Sequence, residues 1–112
     1  MEYLVAKGLE ETQVRQKIKE TYHYFIVDEF QDTSEVQFEI IRNLIDGDFS
    51  KLFCVGDAKQ AIYGFRGGSL KVFEDCKKLV PQTLDLYNNY RSLPVIINFN
   101  NSLFKKIMTL GT

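Results

Sequence analysis

The feature that most constrains the fold is an abrupt change of character within five residues. Phe25-Ile26-Val27 is apolar and β-prone, and it runs directly into Asp28-Glu29, with another carboxylate four residues after the first at Asp32. So short and continuous an apolar run suits a strand, expected over residues 24–28 and buried on both faces. The acids would then stand at its C-terminal tip. The same pattern recurs. Residues 51–55 form a second apolar run closed by Gly56-Asp57, and residues 83–87 alternate as a third strand closed by Asn88-Asn89-Tyr90-Arg91.

Helical spacing fills the intervals. Residues 8–20 are charged, with Val14 and Ile18 one turn apart, and read as a surface helix. Ser34-Glu35-Val36-Gln37 has capping-box spacing, followed by Ile40, Ile41, Leu44 and Ile45, with Gly47 as the stop. Residues 58–68 are rich in glycine and aromatics and read as a loop with a short helical turn. Residues 69–78 read as a helix that Pro81 terminates. Ser92 is expected to cap a final helix with Pro94 in its first turn and a stripe of Ile96, Phe99, Leu103 and Ile107. Alternating helices and strands predict an α/β fold, a parallel sheet flanked by helices. Ligands of such sheets bind beyond the C-terminal strand ends, where all three polar clusters fall.

The bulk composition bounds function more loosely. At 112 residues the chain fills one modest domain, and its net charge of -1 excludes binding to nucleic acid by overall charge. Any such site must be local and partly aromatic. Cys54 and Cys76 form no CxxC pair, so neither a zinc site nor a disulfide framework is implied. No stretch approaches a membrane span, and a cytoplasmic, reducing setting is the expectation.

Each cluster carries a chemical reading and a plainer one. Asp28 and Glu29 suit a magnesium site and a water-activating base, because Mg²⁺ takes one or two carboxylates plus phosphate oxygens. Two acids opening a solvated loop would look the same. In the second cluster, Gly56 would let the backbone turn off its strand, and Gln60 is long enough to meet both a phosphate oxygen and a water. Tyr63 and Phe65 suit stacking on bases, and Arg66 suits a phosphate or carboxylate. Equally, the two rings would serve a folded-back loop that packs on them. In the third, Arg91 suits a transferring phosphoryl group and Tyr90 a base; the plainer reading is an ordinary helix start. His23 is assigned no role.

Together the residues resemble a family. VDEFQDTS at 27–34, GDAKQAIYGFRGG at 56–68 and NYRS at 89–92 resemble motifs II, III and IV of the UvrD/Rep/RecB-type superfamily-1 DNA helicases. Lys59, and Phe65 where many members carry tryptophan, look more like the RecB/AddA branch. The resemblance covers about residues 24–104. It implies a RecA-like P-loop NTPase domain that couples ATP hydrolysis to 3′→5′ stepping on single-stranded DNA, in recombination and repair. It also implies that Asp28 holds Mg²⁺ with Glu29 beside it, and that Glu29 activates the water. By the same token Gln60 senses the γ-phosphate, Arg91 contacts it and Tyr90 stacks on adenine. Tyr63, Phe65 and Arg66 face DNA. Implied partners are ATP, single-stranded DNA, the rest of a helicase chain and a nuclease-complex subunit of the AddB or RecC type, with no membrane.

One family part is missing. No GxxxxGK[ST] phosphate loop occurs, and Gly8 is followed by Leu9-Glu10. The resemblance therefore implies a partial RecA-like domain without the phosphate-loop strand: the C-terminal part of a first motor domain over residues 1–112, with residues 1–20 as a helical lead-in. The expectation is an ATP-dependent helicase segment, inactive by itself. A non-catalytic nucleic-acid-binding or interaction module is the alternative.

Overall fold

The computed structural model describes residues 1–62 and 69–110. The N-terminal segment folds as two helices, α1 over Glu2–Gly8 and α2 over Thr12–Thr21. This corrects the single helix expected over residues 8–20. Gly8, a weak helix former, closes α1, and Leu9 turns inward behind it with 4% exposure. The Lys19 ammonium lies 3.0 Å from Asp46, tying α2 to the far end of the next helix.

Strand β1 spans Phe25–Val27 and β2 spans Leu52–Cys54, paired parallel with Phe25 opposite Leu52 and Val27 opposite Cys54. Between them runs α3, Glu35–Leu44, the crossover helix that a parallel pair requires. Its start is the expected capping box: Gln37 N–H donates to Ser34 Oγ at 3.2 Å, and Ser34 N–H to Gln37 Oε1 at 3.0 Å. Gln37 Nε2 also donates to Glu2 Oε1 at 2.8 Å, fastening α1 to α3. The helix stops where expected. Gly47, at φ +73°, donates its N–H to the Arg42 carbonyl at 3.0 Å.

The core lies on one side of the sheet. Phe30, Phe38, Ile45 and Leu52 meet Val72 and Cys76 of α4, Leu70–Leu79, with Phe25, Val27, Phe73 and Cys54 packed around them. Phe30 is the centre: its ring stands edge-on to Phe38 at 6.1 Å and tilted to Phe73 at 6.2 Å. Arg42 lies over the Phe38 ring, closing the outer end. Cys54 packs against the core cluster that holds Cys76, where β2 meets α4. The pairing of the two thiols, with burial adding to it, raises the Cys54 pKa, and the same pairing lowers that of Cys76.

Two expectations about the sheet fail. The strands are not buried on both faces, since Ile26 and Phe53, opposite each other in register, are 77% and 61% exposed. Successive side chains point to opposite faces, and α3 and α4 serve only the face bearing Phe25, Val27, Leu52 and Cys54. Nor do residues 83–87 form a strand. They pair with neither β1 nor β2, and Leu84, Leu86 and Tyr87 are exposed. Alternation marks a segment as fit for a half-buried ladder, but a ladder needs a neighbouring edge to accept it. The last helix, α5, spans Pro94–Leu110; its stripe residues Ile96, Phe99, Leu103 and Ile107 are exposed.

Candidate functional site

Parallel pairing of β1 with β2 brings two of the three polar clusters side by side. Beyond β1, Glu29 takes a left-handed conformation, φ 50° and ψ 42°. For a residue with a Cβ that costs about 1–2 kcal/mol, and the structure shows what holds it there. Asp28 Oδ1 accepts the Glu29 N–H at 2.8 Å, and the Glu29 carbonyl accepts from Asp32 N–H at 3.0 Å. Phe30, 2% exposed, is locked into the core, and its N–H donates to the Val55 carbonyl at 2.9 Å. The reversal at Glu29 sends Phe30 inward while Asp28 and Glu29 stay exposed at the tip.

Beyond β2, Asp57 organises the second cluster. Its Oδ1 accepts from Lys59 N–H at 3.0 Å, capping a 3-10 turn over Ala58–Gln60, and its Oδ2 accepts from Gln60 Nε2 at 3.2 Å. Gln60 is exposed beside it. The short helical turn expected here is present.

Gln31 joins the two tips. It is 2% exposed, yet both ends of its carboxamide are occupied. Nε2 donates to Glu29 Oε2 at 2.6 Å, and Oε1 accepts the Asp57 N–H at 3.2 Å. Gly56 makes room for this bridge. A Cβ there would stand 2.8 Å from Gln31 Oε1, 3.1 Å from Phe73 Cε2 and 3.2 Å from Gln31 N. Gly56 does not have a positive φ, so the expected reason for glycine, a tight turn, gives way to close approach. Asp57 was not among the sequence-derived site residues, and the sequence named no partner for Gln31. A signal existed for Gln31: a polar residue next to Phe30, in a segment bound for the core, must find partners.

The third cluster stands apart. Asn89 Oδ1 accepts from Arg91 N–H at 3.0 Å and Ser92 N–H at 3.1 Å, a local turn. Leu93, not Ser92, precedes α5, and its carbonyl accepts from Ile96 and Ile97. The Asn89 carboxamide has taken the local hydrogen bonds instead. Tyr90 is 91% exposed, and no hydrogen bond or ion pair among the described residues joins Tyr90 or Arg91 to Asp28, Glu29 or Gln60. Tyr63, Phe65 and Arg66 lie outside the described residues. The segment that carries them is flanked by fixed points: Gln60 N–H donates to the Asp57 carbonyl, and Ser69 N–H to Thr33 O at 3.3 Å.

The carboxylates are hard oxygen donors. Among the described residues no three His, Cys, Asp or Glu side chains gather into a metal cage. An exposed pair such as Asp28 and Glu29 fits Mg²⁺, which dehydrates reluctantly and completes its shell with water and phosphate oxygens. Among the described residues, no helix is long and apolar enough to cross a membrane.

Comparison with known proteins bears on this arrangement. Residues 1–81 match the UvrD/REP helicase N-terminal domain. The chain is 36% identical over 98 residues to a probable DNA helicase of Mycoplasma pneumoniae, covering 86% of this chain and 18% of that one. It is 40% identical over 98 residues to the RecBCD enzyme subunit RecB of Chlamydia pneumoniae, 84% of this chain and 9% of that one. Against the ATP-dependent DNA helicase UvrD1 of Mycobacterium tuberculosis it is 34% identical over 102 residues, 84% and 13%. The chain thus spans less than a fifth of these relatives.

Proposed function

The chain belongs to the UvrD/REP helicase N-terminal domain family, and on that premise we propose that it is a segment of the ATP-hydrolysing motor of a DNA helicase. The observation that carries the reading is the joining of two motif-bearing strand tips, Asp28-Glu29 and Asp57–Gln60, by Gln31. A hydrolytic motor needs a cation site, a positioned water and a γ-phosphate sensor within one small space. In this reading the chain is a partial RecA-like domain, the C-terminal part of a first motor domain with a helical lead-in. The motor steps 3′→5′ along single-stranded DNA, in recombination and repair, and its partners include the rest of the helicase chain and a nuclease-complex subunit.

In this reading Asp28 would hold Mg²⁺, and Glu29 orients and deprotonates the attacking water. Bound Mg²⁺ would neutralise charge on the β- and γ-phosphates. Gln60 contacts the γ-phosphate. Arg91 does so from the third cluster and Tyr90 stacks on adenine, which requires the segment around residue 90 to close over the strand tips. Tyr63, Phe65 and Arg66 hold single-stranded DNA. These 112 residues contain no phosphate-cradling loop, so they do not hydrolyse ATP unaided.

A steady-state ATPase assay with single-stranded DNA tests both statements. The full-length protein should turn over ATP, and Glu29→Gln should abolish it. Undiminished turnover by that variant refutes the assignment. Turnover by the isolated chain, lost in Glu29→Gln, refutes its inactivity. Unwinding of duplexes with a 3′ tail but not a 5′ tail checks the direction.

A further inference from the structure

We propose that Gln31 is a positioning residue, coupling the γ-phosphate sensor Gln60 to the water-activating carboxylate Glu29. The function rests on the ATP-hydrolysis reading above; the coupling itself does not. An unbroken path connects the two groups. Gln60 Nε2 donates to Asp57 Oδ2 at 3.2 Å, Asp57 N–H donates to Gln31 Oε1 at 3.2 Å, and Gln31 Nε2 donates to Glu29 Oε2 at 2.6 Å. Residues 31 and 57 are 26 apart in the chain, so their contact exists only because β1 and β2 are neighbours.

The chemistry of the position selects glutamine. One partner is an N–H donor and the other a carboxylate acceptor. Only a side chain ending in both an acceptor and a donor satisfies the two at once. Glutamate would set a second negative charge against Glu29, and methionine would leave both partners unmet. The amide orientation is dictated as well, since a flip would face NH₂ to N–H and oxygen to carboxylate. The bond to Glu29 is charge-assisted and short, and so constrains the carboxylate strongly.

The surroundings are built for this bridge. Gln31 is 2% exposed, so water does not compete for its amide. Gly56 leaves the space in which Oε1 sits, and a Cβ there would come within 2.8 Å. Phe30 on one side and Thr33 on the other are buried, fixing the backbone that carries Gln31. The carboxylate itself is exposed at the tip, in a left-handed residue. Its side chain would sweep a wide range without a tether. Gln31 therefore sets where Glu29 points, and ties that direction to the turn that carries Gln60. A phosphate drawing on Gln60 disturbs its bond to Asp57, and the displacement reaches Glu29 through one buried amide.

Nuclear magnetic resonance of this chain tests the bridge without ATP. Glu29 and Gln60 are both exposed, so Glu29→Ala and Gln60→Ala leave the core intact. Each should move the Gln31 side-chain NH₂ signals, and Glu29→Ala should also speed their exchange with solvent. In Gln31→Met, Gln60→Ala should no longer move the Glu29 carboxyl-carbon signal. NH₂ signals unmoved by either exposed substitution overturn the proposal. So does a Glu29 signal that answers Gln60→Ala equally with and without Gln31. If Gln31→Met does not fold, the two exposed variants decide the matter alone.

The catalytic consequence is read in the full-length protein. Gln31→Met should lower kcat about 10–100-fold while the KM for ATP changes by less than about twofold. A loss confined to KM, or an unchanged kcat, refutes a positioning role. Retention of turnover in Glu29→Gln would instead refute the reading of Glu29, and the resonance experiment would still decide whether the bridge exists.

Discussion

Replacing each of three glycines by alanine should give three different results, and the most informative is Gly56→Ala. The new methyl group would lie 2.8 Å from Gln31 Oε1, 3.1 Å from Phe73 Cε2 and 3.2 Å from Gln31 N. Neither neighbour yields freely. Gln31 is bonded at both ends of its amide, and Phe73 packs against Phe30 in the core. If Gln31 withdraws, a charged and a neutral hydrogen bond are lost, together worth about 2–4 kcal/mol. If the strands shift instead, overpacking costs about 1–3 kcal/mol. Alanine recovers about 0.5 kcal/mol by restricting the unfolded chain. A net loss of about 2 kcal/mol is expected.

Gly8 is the control. Nothing lies within 4 Å of its virtual Cβ and it ends a helix, so Gly8→Ala should be neutral or stabilise by about 0.5 kcal/mol. Gly47 also has open space but sits at φ +73°, so Gly47→Ala should lose about 1 kcal/mol, the left-handed strain less the unfolded-state gain. Urea titrations followed by circular dichroism measure all three. At slopes of about 1–2 kcal/mol per molar, Gly56→Ala should lower the midpoint by about 1–2 M without changing the slope. A Gly56→Ala midpoint matching that of Gly8→Ala would refute the steric account of the bridge.

Other consequences can be checked with the same protein. Ser34→Ala removes half of the α3 capping box and should cost about 1 kcal/mol in the same titration. The Asp46 carboxyl is held below its usual value by the hydrogen bond and charge of Lys19, with Arg15 adding to this. A lowered carboxylate pKa stabilises above the ordinary value, and that contribution fades as pH falls through the folded one. Asp46→Asn should therefore flatten the acid limb of stability against pH, and an unchanged limb would remove Asp46 from the account. The two-stranded sheet leaves one edge of each strand unpaired, with Ile26 and Phe53 on its uncovered face. Light scattering should find the chain self-associating with rising concentration, and a clean monomer at high concentration would count against that.

What the amino-acid sequence determined by itself lies within a turn or two of chain. The Ser34–Gln37 box and the Gly47 stop were legible because their partners sit three to five residues away. The acids at the end of β1 and the short turn at Ala58–Gln60 were legible for the same reason, and the motif spacing carried the family. Tertiary structure decided the rest. Alternation in residues 83–87 recorded a fitness for pairing, but a strand exists only where another edge receives it. Apolar content in β1 and β2 predicted burial on both faces; packing covered one. The left-handed Glu29 follows from Phe30 being held in the core. Gln31 is the clearest case, since it finds one partner two residues away and the other 26. A side chain's chemistry is local, but the second partner that gives it a role is delivered by the pairing of β1 with β2.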